Sequence, residues 1–217
     1  EISLGLVGSE MCIRDSNYYT QFLDPDGLRG MRLGVARQFL GFHKQVDRVF
    51  ESAVAAMRSA GAVIVDPVSL GSVSRLAVPG NLMTLGRAET EVLLYEFKAG
   101  LNAYLARRNT DVAVRSLADL IMFNHRHAAD EMPYFGQERL HAAQAKGPLS
   151  EPAYLEALAA ARRLSQLEGI DRTMNEHRLD AIIGPTGGPA WVTDLVNGDH
   201  FGGSSSGYPA VAGYPNI

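Results

Sequence analysis

The segment from residue 31 to residue 68 constrains the fold most, because it predicts a strand, a helix and a strand in succession. The stretch "MRLGVAR" (31–37) is typical of a strand, and "AVIVDPV" (62–68) of a second strand that is apolar throughout, as expected when both faces are covered. Between them, apolar residues at spacings of three and four predict an amphipathic helix over 44–60, ended by Gly61. Such a unit crosses over right-handedly and gives a parallel strand pair. We therefore predict an α/β fold.

Helices are predicted for most of the middle of the chain. Residues 81–108 contain few helix-breaking residues, and Ser116 with Asp119 fits a capping box that opens another helix. A further helix is predicted over 136–145. Residues 150–177 begin with a serine cap and carry an apolar stripe at helical spacing, which predicts one long helix.

A third strand and a late loop complete the pattern. "LDAIIGPT" (179–186) predicts the strand, which glycine and proline close. After it the chain is loop-like, and its last stretch is "FGGSSSGYPAVAGYPNI" (201–217). We predict that this stretch is a loop rich in small residues that leads into another strand.

Charge and hydropathy exclude two classes of partner. The net charge of −4 over 217 residues provides no positive field for a phosphate backbone, so nucleic acid is not an expected partner. No run approaches the roughly 20 apolar residues that a membrane-spanning helix needs. The one cysteine, Cys12, forbids an internal disulfide and favours a cytoplasmic protein.

Residues 1–16, "EISLGLVGSEMCIRDS", fit poorly with the rest of the chain. They lack the basic start and the long apolar stretch of a signal peptide. They resemble the peptide that results when sequencing-adapter DNA is translated within a reading frame. We therefore interpret them as non-native, which would make Cys12 non-native too and would place the start of this chain inside a longer gene. The alternative is a disordered N-terminal arm.

Two groups of polar residues suggest chemistry when they are considered alone. Asp194, Asp199 and His200 share a loop with serines 204–206, and together they offer an acid, a base and a nucleophile. A short loop rarely folds back to align three such groups, and Asp and Ser commonly cap turns. We therefore predict that the three serines shape a turn, and we assign no catalytic residue in this chain.

The histidines of the predicted helical region do not indicate a metal site. His125 and His127 are two residues apart on a helix and point away from each other, so they cannot share a metal ion. A metal site that includes His141 is not expected either. "GPTGG" (184–188) resembles a phosphate loop, but Pro189 follows it and no helix N-terminus is available to hold an anion.

Several stretches, in order and spacing, carry a resemblance to a known family. They are "YTQFLDPDGLRGMRLGVAR", "DPV", "YEFKAGLNAYLA", "FNHRHAADEMPYFGQE", "LDAIIGPT" and "PAWVTDLVNGDHFGGSSS" followed by "AVAGYPNI". From about residue 17 onward, the chain resembles the C-terminal half of the amidase signature family. The resemblance implies a three-layer α/β/α sandwich around a mixed sheet, incomplete at both ends, with residues 17–217 as a partial amidase domain.

The resemblance also implies an activity. Enzymes of this family split amides with a Ser nucleophile, a second Ser held through a cis peptide and a Lys that acts as the base. In the family these three residues precede the "DPDGLRG" segment, so we expect them before Asn17 and outside this chain. The parent protein would then hydrolyse a small amide or a C-terminal carboxamide without metal or organic cofactor, and this chain alone would be inactive.

The resemblance allows a homodimer of the intact protein, and other functions stay open. One alternative is a non-catalytic ligand-binding α/β module, and another is a catalytically dead relative of the family. Sequence upstream of Asn17 would distinguish them, because only an active amidase needs the Lys and both serine loops.

Substrate contacts are expected from bulky amphipathic side chains in loops or at helix ends, because such residues commonly line pockets. The candidates are Phe123, Tyr134, Phe135, Trp191 and Phe201. The alternative for each of them is ordinary core packing.

Overall fold

A computed structural model describes residues 19–71, 84–108 and 112–217. The predicted non-native segment 1–16, with Cys12, lies outside these ranges. The described residues form two compact units, one made by residues up to 71 together with those from 162 onward, and the other by the residues between.

The first unit is built on a small parallel sheet. Its strands are β1 (Arg32–Val35), β2 (Val63–Val65) and β3 (Ala181–Ile183), and their order across the sheet is β2-β1-β3. Both neighbours of the central strand run parallel to it. Helix α1 (Lys44–Ser59) connects β1 to β2, as the apolar spacing predicts. The strand, helix and strand unit predicted from the sequence is therefore confirmed.

Apolar side chains cover both faces of this sheet. On one face, Phe50 and Val54 of α1 pack with Val35 of β1. On the other face, Leu179 packs with Ala36 and Val68, and this second cluster includes Met174 from helix α7, defined below. The unit is thus a three-layer α/β/α arrangement. A mixed sheet was expected, and every strand pair within the described ranges is parallel.

The long helix predicted over 150–177 consists of three consecutive segments. Helix α6 covers Pro152–Arg162, a π-helix covers Arg163–Asp171, and α7 covers Arg172–His177. Arg32 of β1 closes the end of α7, because its side chain donates to the carbonyl of His177 at 3.0 Å. This contact fixes where the chain turns into β3.

The second unit contains the other helices. They are α2 (Leu85–Ala106), α3 (Leu117–Arg126), α4 (Ala128–Glu131), α5 (Glu138–Gln144) and α6. The predicted cap of α3 is confirmed, because Ser116 Oγ accepts a hydrogen bond from the Asp119 N–H at 3.1 Å. The Asp119 carboxylate in turn accepts from the Arg115 N–H at 3.0 Å.

Two buried tyrosines join α2 to the α6 region within this unit. Tyr95 donates to Glu151 at 2.6 Å, and Tyr154 donates to Glu96 at 2.9 Å. The bond to the Glu151 carboxylate is the main cause that raises the pKa of Tyr95 to about 12. Each phenol pairs with an acceptor, as a buried hydroxyl requires.

The end of the chain differs from the sequence prediction. Residues Gly207–Ala212 form a short helix, α8, where we expected a loop entering a strand. The buried ring of Tyr208 lies edge-on to Phe39 at 6.3 Å, and Gln166 donates to the Ala212 carbonyl at 2.7 Å. The hydrogen bond pairs a carbonyl at the end of this helix, and the ring contact buries Tyr208. The predicted strand is therefore wrong over these residues.

Candidate functional site

The carboxyl ends of the three strands lie at one edge of the sheet. Residues 36–43 follow β1, residues 66–71 follow β2, and residues 184–206, named the late loop here, follow β3. Because β2 and β3 lie on opposite sides of β1, the order reverses between β1 and β3. Open α/β sheets bind ligands outside the strand ends at such a reversal. This edge is therefore the candidate site.

Phe42 lies at this edge, in the short connection between β1 and α1, and its ring contacts the backbone of the late loop. A Cβ added at Gly202 would lie 2.9 Å from the ring, and one at Gly203 would lie 3.0 Å from it. One added at Gly188 would lie 3.4 Å away. These four residues, named the Phe42 cluster, bring both arms of the late loop against one aromatic ring.

A second set of contacts closes the loop beside β3. Gly187 forms an antiparallel bridge with Ser204. A Cβ added at Gly184 would lie 3.3 Å from both Phe39 and Ser205. The Gly/Ser-rich segment therefore returns to the end of the strand from which the loop started.

The serines of this segment bond to each other in the geometry of a turn. Ser204 Oγ and Ser206 Oγ are 2.7 Å apart, and the Ser206 N–H donates to Ser204 Oγ at 3.1 Å. All three serines are half-buried. The prediction that they shape a turn agrees with this local geometry, and the absence of a catalytic role for them stays a prediction.

Asp194 and His200 do not form a close acid–base pair. His200 Nε2 is 3.8 Å from Asp194 Oδ2, and the His200 side chain is 63% exposed. The Asp194 carboxylate instead accepts from the backbone N–H groups of Asn197 and Val196, each at 2.9 Å. The bonds from Asn197 are the main cause that lowers the pKa of Asp194. This carboxylate caps a turn.

Two of the five candidate substrate contacts lie together in the late loop. The rings of Trp191 and Phe201 are 6.3 Å apart and nearly perpendicular, and Trp191 Nε1 donates to Asp199 at 3.2 Å. Both rings are exposed, at 41% and 59%. They form an aromatic pair open to solvent, and their role in substrate binding stays a prediction.

The other three candidates belong to the second unit. Phe123 lies on α3, and its ring is 4.4 Å from that of His127. Tyr134 and Phe135 lie between α4 and α5 and are about two-thirds exposed, at 66% and 68%. All three side chains are exposed in this chain, Phe123 least at 37%, and their contact with a substrate stays a prediction.

Sequence reasoning missed Phe42 and Phe39, although a signal was present. Both lie in "QFLGFHK" (38–44), a connection between a strand and a helix that carries two aromatic residues. Aromatic residues directly after a strand of a parallel sheet lie at the edge where ligands bind. The pattern could have identified the position, but not its partners in the late loop.

An ion pair joins the ends of β1 and β2 on the other side of this edge. Arg37 donates to the two carboxylate oxygens of Asp66 at 2.8 and 2.6 Å, and it also contacts Glu51 of α1. The hydrogen bonds from Arg37 are the main cause that lowers the pKa of Asp66, and they raise the pKa of Arg37 in turn. The pair fixes two strand ends and the adjacent helix.

This ion pair predicts a dependence of stability on pH. Because the pKa of Asp66 is lower in the folded state, its contribution is present near neutral pH and is lost as the pH falls below about 4. Asp66→Asn is expected to lower the free energy of unfolding by no more than about 1 kcal/mol at pH 7, since both side chains are partly exposed. Urea unfolding at several pH values measures this difference, which should shrink in acid.

Asp26→Asn provides the control, because Asp26 and Arg29 also form a bond at 2.7 Å but are 70% and 74% exposed. Its effect at pH 7 should be close to zero. Asp66→Asn and the unchanged protein should differ less in free energy of unfolding at about pH 3 than at pH 7. An equal difference at both pH values would contradict the role assigned to the Asp66 carboxylate.

Two kinds of feature are absent from the described part of the chain. It contains no group of three or more His, Cys, Asp or Glu residues placed to hold a metal ion. Nor do its helices include one that is both long and apolar enough to cross a membrane.

Comparisons with known proteins connect this arrangement to amidases. An Arabidopsis thaliana protein described as a probable amidase is 30% identical over 200 residues, which are 92% of this chain and 33% of that protein. The peptide amidase of Stenotrophomonas maltophilia is 42% identical, with a TM-score of 0.76 over 90% of this chain and 37% of the enzyme. Peptide amidase in complex with the competitive inhibitor chymostatin gives 43% identity and a TM-score of 0.79 over the same shares. No family model matches the chain.

The chain therefore spans about a third of the length of the relatives that it matches. Nine tenths of this chain superimposes on peptide amidase.

Proposed function

We propose that this chain, which belongs to the amidase family, is part of a hydrolase that splits carboxamide bonds. The observation that supports this most strongly is the 43% identity to peptide amidase, combined with a TM-score of 0.79 over nine tenths of the chain. Identity of that degree over nine tenths of this chain and 37% of peptide amidase exceeds what a shared fold alone would require. A fold by itself would not indicate a function.

The substrate class that we propose is a peptide carboxamide. Two of the structural relatives are peptide amidases, and one of them binds the competitive inhibitor chymostatin. The exposed aromatic pair Trp191 and Phe201 offers apolar faces of the kind that contact a peptide side chain. Phe123, Tyr134 and Phe135 remain candidates for the same role.

The catalytic groups of the proposed enzyme lie outside this chain. The resemblance to the amidase signature family implies that the nucleophilic Ser, the second Ser and the Lys base precede Asn17. The role of this chain is then to supply scaffold and part of the wall on the acyl side of the pocket. Such a hydrolase uses water as its only co-reactant. A homodimer of the intact protein stays a prediction of the same resemblance, and a cytoplasmic location stays a prediction from the single cysteine.

Expression of the complete gene tests this proposal. The complete protein is expected to release ammonia from an N-acetylated dipeptide amide, whereas residues 17–217 alone release none. Ser204→Ala, Ser205→Ala and Ser206→Ala should each retain kcat within about tenfold in the complete protein, because loss of a nucleophile costs on the order of a millionfold. A steady-state ammonia assay measures all of these.

Three outcomes would contradict different parts of the proposal. Activity of the isolated chain that one serine variant abolishes would place the nucleophile in the late loop. A complete protein that binds the peptide amide without hydrolysis would indicate a catalytically dead relative. A complete protein without the Lys and the two serine loops would favour a ligand-binding module.

A further inference from the structure

We infer that Phe42 is a positioning residue that fixes the late loop and, through it, the aromatic pair that contacts the substrate. Phe42 itself is held firmly, because it lies between two ordered elements. The turn Arg37–Phe39 continues directly from β1, and His43 caps the first turn of α1. The backbone of Phe42 is therefore held by elements outside the late loop.

The contacts of Phe42 reach both arms of the late loop. Gly188 belongs to the arm that leaves β3, and Gly202 and Gly203 belong to the arm that returns. A Cβ atom added at Gly202 would lie 2.9 Å from the ring, closer than real Cβ contacts come, and one at Gly203 would lie 3.0 Å away, which is tighter than most real Cβ contacts. The backbone thus approaches the ring as closely as glycine alone permits, and the ring fills the space between the arms.

The part of the loop between these contacts depends on its two ends. Residues 189–201 contain the Trp191 and Phe201 rings and also Val192 and Val196, which are 85% and 91% exposed. The hydrogen bonds to Asp194 and Asp199 within this part are local, since they join residues two to eight positions apart. The Phe42 cluster and the bridge between Gly187 and Ser204 are what tie its ends to the sheet.

Removal of the ring is therefore expected to loosen the loop without disturbing the chemical step. The effect on substrate binding rests on the proposed function. A peptide amide long enough to reach Trp191 and Phe201 should bind more weakly, whereas a small amide such as acetamide should not be affected. A residue with a purely structural role would change both substrates alike.

The test uses the complete protein with Phe42→Ala, Phe42→Leu and the control Phe97→Ala, which removes a 44% exposed ring of α2. Phe42→Ala is expected to raise KM for the peptide amide about tenfold with kcat nearly unchanged, and to leave KM for acetamide unchanged. Phe42→Leu should recover most of this loss, because it refills the space. Phe97→Ala should leave both constants unchanged.

Hydrogen exchange of residues 187–206 supplies a second measurement that does not require activity. Phe42→Ala should speed exchange there severalfold while β1 keeps its protection. Unchanged exchange in the late loop, or equal losses for the peptide amide and acetamide, would overturn the inference. If the unchanged protein hydrolyses neither substrate, the proposed function fails, and exchange alone then decides whether Phe42 anchors the loop.

Discussion

Replacement of Gly34 by valine is expected to lower the free energy of unfolding by about 3 kcal/mol, the upper end of what overpacking a core costs. Gly34 is buried in β1, the central strand of the sheet. A Cβ at this position would lie 2.4 Å from Leu179 Cδ1 and 3.0 Å from Val68 Cγ2. Those two side chains are themselves buried, at 8% and 4% exposure, so neither can move into solvent.

Urea unfolding of the purified protein measures the effect of Gly34→Val. Gly100→Ala is the control, because Gly100 lies within α2 and has no atom within 4 Å of an added Cβ. That change should raise the free energy of unfolding by about 0.5–1 kcal/mol, since alanine loses less backbone entropy than glycine. The double variant Gly34→Val with Leu179→Ala should lose less free energy of unfolding than the sum of the two single variants, because the smaller side chain makes room for valine. A Gly34→Val protein as stable as the original would show that β1 does not pack as described.

The elements read correctly from the sequence are those whose pattern is local. Helix α1 follows from apolar residues at spacings of three and four, and the second strand follows from a short, continuous apolar run. The cap at Ser116 follows from two residues three positions apart. The burial of strand β2 differs from the prediction. Both of its faces were expected to be covered, but Val63 is 45% exposed. Strand order decides that exposure, and a local pattern does not contain strand order.

The π-helix could not be read from the sequence. The apolar stripe of residues 150–177 predicts a helix, but over nine residues it does not distinguish a π-helix from an α-helix. At Gly169 an added Cβ would lie 2.7 Å from the Leu164 carbonyl oxygen and 2.9 Å from the Tyr208 ring. The close approach of Tyr208, which is distant in sequence, accompanies this local geometry. A tertiary contact of that kind leaves no local pattern.

The candidate site shows the same limit. Trp191 and Phe201 were selected from the sequence as bulky loop residues, and the structure places their rings 6.3 Å apart. Their selection needed only residue type and a loop prediction. The Phe42 ring contacts glycines near the other end of the chain. Neither a glycine nor a single aromatic residue shows in the sequence which residue it will contact. The geometry of the carboxyl edge had to come from the strand order.

Replacement of Leu117 by alanine is expected to lower the free energy of unfolding by about 2–5 kcal/mol, the range for removing a buried leucine side chain. Leu117 is fully buried and is the first residue of α3. Its backbone N–H donates to the side-chain oxygen of Asn102 on α2 at 2.8 Å. The backbone of this residue therefore joins two helices of the second unit, and alanine would leave a cavity in place of a fully buried side chain.

Three variants separate these contributions in urea unfolding and in hydrogen exchange of residues 85–126. Leu117→Ala should reduce protection of the α2 and α3 amides. Asn102→Ala keeps the Leu117 side chain but removes the oxygen that accepts from the Leu117 N–H. It should lower the free energy of unfolding by about 1–3 kcal/mol, the penalty for an unpaired backbone donor. Leu93→Ala on α2 is the control, because the Leu93 side chain is 52% exposed. Its loss should lower the free energy of unfolding by about 1 kcal/mol or less. If Leu117→Ala cost no more than Leu93→Ala, the contact of α2 with α3 would not depend on this side chain, and the cap formed by Ser116 and Asp119 would be the main support of α3.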